Sequence, residues 1–96
     1  IFSTAAQLLS ACFGTNITTR LIFSFKISNG SEIEELEYLI VNDSKLLRKS
    51  PLFLGRNSEL NVNESLSLSE VNLEEKIEIV LTRNGIVLQQ IHFWIN

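Results

Sequence analysis

The chain has 96 residues, of which 45% are hydrophobic and 20% charged, with a net charge of −3, one proline, one cysteine and no methionine. This is the composition of one globular domain and excludes a disordered chain. Its eight Lys and Arg residues are scattered rather than striped, so nucleic-acid binding is not expected, and a lone thiol closes no intrachain disulfide.

The first fourteen residues, IFSTAAQLLSACFG, carry no charge. Ser, Thr and Gln interrupt the apolar residues, and no run reaches the ~18–20 needed to span a bilayer. We expect this stub to be a first strand plus a membrane-proximal neck, with Cys12 as a small buried hydrophobe. Because the chain lacks methionine, we also expect an N-terminal signal or anchor ahead of Ile1.

Residues 17–28 alternate. Leu21, Phe23, Phe25 and Ile27 share one side, and Arg20, Ser24 and Lys26 the other. A period of two, rich in aromatic and β-branched residues, predicts a half-buried strand, and SNGS ends it. EIEELEYLIVND fits both helical and strand spacing. We read it as a strand because YLIV favours β structure and VNDS stops it abruptly. Pro51 marks an edge strand or a loop, so we expect a short strand over 45–48 and irregular chain over 51–57. ELNVNESLSLSEVN alternates again through Leu60, Val62, Leu66 and Leu68, with small polar residues facing out.

The last twenty residues read as two strands joined around Asn84-Gly85. A two-residue loop would set Ile79 against Gln90 and Ile77 against His92, putting polar groups where the core belongs. A three-residue loop, Arg83-Asn84-Gly85 with a G1 bulge, sets Leu81 against Val87, Ile79 against Gln89 and Ile77 against Ile91. Since burial selects register, we expect the second. Short strands, turn signals about every ten residues and no convincing helix predict an all-β domain over residues 1–96. The expected architecture is an immunoglobulin-like antiparallel β-sandwich of six to eight strands without a disulfide.

Little in the sequence suggests chemistry. His92, the single histidine, lacks a partner suited to catalysis and is expected to be solvated or interfacial. Glu32, Glu34, Glu35 and Glu37 flank apolar residues in a regular element, which reads as a solvated face rather than a calcium loop. We expect no catalytic residue, no metal and no cofactor. Four N-x-[ST] triplets, at Asn16, Asn29, Asn42 and Asn63, are candidate glycosylation sites and also the accidental product of an Asn/Ser-rich surface. The outward side of the last hairpin offers Val80, Ile86, Leu88 and Trp94 as a candidate interaction surface, covered either by the stub or by another chain. The terminal strand is a candidate edge for pairing with another subunit.

The neutral stub, the sequons, the absence of disulfides and the closing KIEIVLTRNGIVLQQIHFWIN together resemble the soluble domains of archaeal archaellum accessory proteins. These are stator-type proteins related to archaellins and pilins. The resemblance implies a non-enzymatic, extracytoplasmic module, held to the membrane through an N-terminal anchor. It implies self-association and contact with a surface-layer or motor protein. Two other readings stay open: a ligand- or glycan-binding sandwich, with Trp94 and Tyr38 as its aromatics, and an intracellular or viral assembly subunit.

Overall fold

A computed structural model describes residues 7–15 and 20–94. Among them run seven strands: β1 (Gln7–Thr15), β2 (Arg20–Ser28), β3 (Glu34–Asn42), β4 (Lys45–Leu54), β5 (Glu59–Ser67), β6 (Ile77–Arg83) and β7 (Ile86–Phe93). They form two antiparallel sheets, ordered β1-β2-β5 and β4-β3-β6-β7. The all-β, two-sheet expectation holds. Within the stub, residues 7–14 belong to β1; the rest of it, and the expected neck, lie outside the described residues.

Alternation builds the core. Leu21, Phe23, Phe25 and Ile27 of β2 face Leu36, Tyr38 and Ile40 of β3 and Ile77, Ile79 and Leu81 of β6. Each fully buried Leu, Ile or Phe contributes ~1.5–3 kcal/mol over an exposed one. Two aromatic pairs cross between the sheets, where a disulfide would otherwise tie them. The Phe25 and Tyr38 rings meet edge to face at 5.1 Å, and the Phe23 and Phe93 rings are tilted at 5.3 Å.

Three local expectations need correction. Irregular chain was expected over 51–57, yet β4 continues through Pro51 to Leu54. It is an edge strand, where an imide nitrogen is tolerated, and the alternation of Leu52 and Leu54 into the core carries it on. The second correction lies after β5. The alternation stops at Ser67, which caps one 3-10 turn over Leu68–Glu70 by a capping box with Glu70.

The third is the hairpin. Its loop is the two-residue one, with Arg83 paired to Ile86 and Thr82 to Val87. Asn84 and Gly85 both have positive φ, 51° and 81°, the signature of a type I′ turn. The register then shifts at Leu88, so that Leu81 faces Gln89, Ile79 faces Ile91 and Ile77 faces Phe93. Turn chemistry sets the loop, and burial sets the face. A bulge of one residue reconciles them, because one extra residue exchanges the two faces of a strand. The expected face is therefore correct from Gln89 through Ile91 to Phe93, while Val87 turns outward, Leu88 turns to the core, and the expected loop and pairing do not hold.

Candidate interaction surface

The two sheets turn unlike sides to solvent. On β2 and β5 the outward positions are Arg20, Ser24, Lys26, Asn61, Asn63 and Ser65, with Ile22 as the apolar exception. The Arg20 guanidinium lies across this face, donating from Nε to Ser65 Oγ at 2.5 Å and from Nη2 to the Ser65 carbonyl at 3.1 Å.

The four-stranded sheet differs. Its outward rows run Phe53–Glu35, then Pro51–Glu37–Thr82–Val87, then Lys49–Leu39–Val80–Gln90, then Leu46–Val41–Glu78–His92. Leu46, Phe53 and Val87 are 52%, 65% and 55% exposed. Leu46 and Phe53, with Leu39, Val41 and Pro51, make an apolar band over β4 and β3 that continues onto β6 at Val80, while Val87 stands apart on β7 beyond Glu37 and Thr82. At its β4 margin lies a shallow depression of about 380 Å³ lined by Glu35, Leu36, Pro51, Leu52 and Phe53. Leu39, Val41 and Val80 carry a readable signal. EYLIV and IEIVL are apolar on both faces, the pattern of a strand covered on both sides. Phe53 falls in the segment expected to be irregular, and Leu46 in a strand too short for its alternation to show a face.

The four residues expected to form a patch do not form one. Val80 is 8% exposed, flanked by Leu39 and Gln90. Leu88 is the bulge residue and packs against the core. Ile86 and Trp94 are exposed, at 68% and 51%, but stand at opposite ends of β7, about 27 Å apart along an extended strand. On this side of the hairpin Val80 pairs with Gln90 and Glu78 with His92.

Two of the four sequon asparagines are structural. Asn29 is 9% exposed and its Nδ2 donates to the carbonyls of Glu32, Leu54 and Gly55. Asn42 is 2% exposed; its Nδ2 donates to the carbonyls of Asn72, Glu75 and Lys76, and its Oδ1 accepts from the Asn72 N–H. A glycan on either Nδ2 would displace these bonds. Asn29 ties the loop between β2 and β3 to the end of β4, and Asn42 ties the end of β3 to residues 72–76, in the way Asn favours where backbone groups need partners. Asn63 lies exposed on the outward side of β5, and Asn16 is outside the described residues.

A polar group sits between β4 and β5, where the two sheets do not meet. Glu64 faces inward from β5, and its carboxylate accepts from the Tyr38 hydroxyl. Burial, and then the bond to Glu64, push the Tyr38 phenol up to about 12. Nearby, Arg48 Nη2 reaches Glu70 at 3.4 Å, and this contact together with the Ser67 N–H lowers the Glu70 carboxyl below its usual value. At the end of the core, Arg83 and Glu34 form a bidentate pair at 2.5 and 3.2 Å. Glu34 thus leaves the solvated acidic face expected for it. Among the described residues no three His, Cys, Asp or Glu side chains gather as metal ligands, and no helix is long and apolar enough to cross a membrane.

No protein-family model matches the chain, and no curated protein does. Among solved structures, part of a β-glucosidase from Kluyveromyces marxianus superposes with a TM-score of 0.58 and 15% identity. The match covers 98% of this chain and 15% of that one. At that identity the likeness is one of fold alone: a two-sheet domain of this shape also occurs as a small part of a much longer chain.

Proposed function

We propose that this domain is a non-enzymatic interaction module, an immunoglobulin-like β-sandwich whose contact surface is the outward side of the four-stranded sheet. Strand order supports the architecture. In immunoglobulin lettering the sheets read A-B-E and C′-C-F-G, the plan of that fold with its fourth strand on the C-F-G side. The observation that carries the function is the band of Leu39, Val41, Leu46, Pro51 and Phe53 on one outer face. Exposed apolar groups gathered this closely mark contact surfaces more often than scattered ones do. For the setting, the reading follows the archaellum accessory domains that the sequence resembles: the cell envelope, with a surface-layer or motor protein as partner.

The test is site-specific photocrosslinking in the native host, with the probe placed at Phe53 or at Asn61. An adduct to a different protein from position 53, and none to a different protein from position 61, is the expected result. Adducts to a different protein from position 61 alone would overturn it.

A further inference from the structure

Four strand edges bound the two sheets, and three of them are guarded. β4 carries Lys45, Lys49 and Pro51 and shifts register at Leu47. β1 shifts between Leu8 and Ser10, β7 shifts at Leu88, and these two edges approach one another where the sheets meet. Bulges, prolines and lysines are the usual devices that keep an edge from pairing with another chain.

The fourth edge has none of these. β5 pairs with β2 through nine consecutive positions, Glu59 to Ser67, without a shift. It contains no proline and no lysine, and among the described residues no strand covers its other side. Its outward side chains between the ends are Asn61, Asn63 and Ser65, small and uncharged. The charge that could act as a guard, Glu64, is turned inward and held by Tyr38.

We infer that β5 pairs antiparallel with β5 of a second copy, across a two-fold axis at Asn63. The register follows from the strand itself. Asn63 is the midpoint of Glu59–Ser67, so this axis alone overlaps all nine residues. It sets Leu60 against Leu66 of the second copy on the inner side. On the outer side it sets Asn61 against Ser65 and Glu59 against Ser67. Glu64 meets Val62, so no like charges stand directly opposed. The product is one continuous six-stranded sheet, β1-β2-β5-β5-β2-β1. An axis at Glu64 would oppose the two carboxylates, and one at Val62 would leave Leu66 and Ser67 without partners. This contact is independent of the apolar face assigned above.

The test compares the whole chain with an Asn61→Lys/Asn63→Lys variant by sedimentation over a range of concentrations. Both substitutions lie on exposed, outward positions, so far-UV circular dichroism should not change, nor should the melting curve at concentrations too low for dimerisation. The wild type is expected to dimerise, and the variant to dimerise at least about tenfold more weakly, since it opposes two lysines at the axis. Phe53→Lys should leave the dimer intact, which separates this edge from the face of the other sheet. In a Cys12→Ser background, Asn63→Cys should form a disulfide dimer on mild oxidation, because directly opposed antiparallel Cα atoms stand about 4.5–5.5 Å apart. Asn61→Cys, displaced from the axis, should not. A wild type that stays monomeric, a double-lysine variant that dimerises equally well, or equal crosslinking at 61 and 63 would each overturn the proposal.

Discussion

The outward side of β2 and β5 and the outward side of β4, β3, β6 and β7 rest on the same core, yet they differ in nearly every property that water senses. The first is built of Ser, Asn, Arg and Lys around one Ile; the second centres on Leu39, Val41, Pro51, Phe53 and a Val80 that is buried without belonging to the core cluster. Both sheets are antiparallel throughout, and both inner sides are mainly apolar. Folding therefore asks nothing different of the two outer faces, and their contrast is a property of the surface rather than of the fold. In the reading proposed above, the second face meets a partner and the first stays in water.

The comparison breaks most severely if the shared core is cut. Phe25→Ala removes a ring that meets Tyr38 between the sheets, and should cost about 3–5 kcal/mol in urea unfolding, enough to leave a small domain marginal. Both faces would then be lost together. Next in size is Asn42→Ala, which strands three carbonyls and the Asn72 N–H. A loss of about 2–3 kcal/mol is expected, with no compensating gain from relief of a glycan.

A pH titration sharpens the view of the seam between the sheets. Tyr38 is the single tyrosine, so phenolate absorbance reports it alone. Its folded value, about 12, lies above the ordinary 10.0. The unfolded chain therefore ionises first. The stability that depends on the neutral phenol is intact below pH 10, declines above it and is gone by pH 12. Tyr38→Phe should flatten that alkaline decline, and a titration midpoint near 10 in the folded protein would remove the buried bond to Glu64 from the account. Smallest of all is Phe53→Lys on the apolar face, expected to change stability by no more than about 0.5 kcal/mol while abolishing crosslinking at that surface. A large drop in stability would mean that the face serves folding after all. Leu88→Lys, attractive from the sequence as a surface probe, should instead destabilise the chain, since Leu88 packs against the core.

How much of this was legible beforehand depends on how local the cause is. Leu21, Phe23, Phe25 and Ile27 announce their burial through period two, and Asn84-Gly85 announces its turn, because both signals reside in adjacent residues. The staple roles of Asn29 and Asn42 were not legible, for the opposite reason. Their amides are occupied by carbonyls as many as 26 and 34 positions away. The last hairpin shows the two kinds of cause side by side. The dipeptide fixed a two-residue loop and the apolar residues fixed a face, and the two requirements conflict by one residue. The alternation of the sequence by itself determined an all-β chain with a preferred inner side for most of its strands. Only tertiary structure decided where the extra residue would bulge, which asparagines would be used up as staples, and which outer face would gather the leftover apolar groups. Those outcomes depend on which strands become neighbours, and pairing between distant segments is written in no single stretch of the chain.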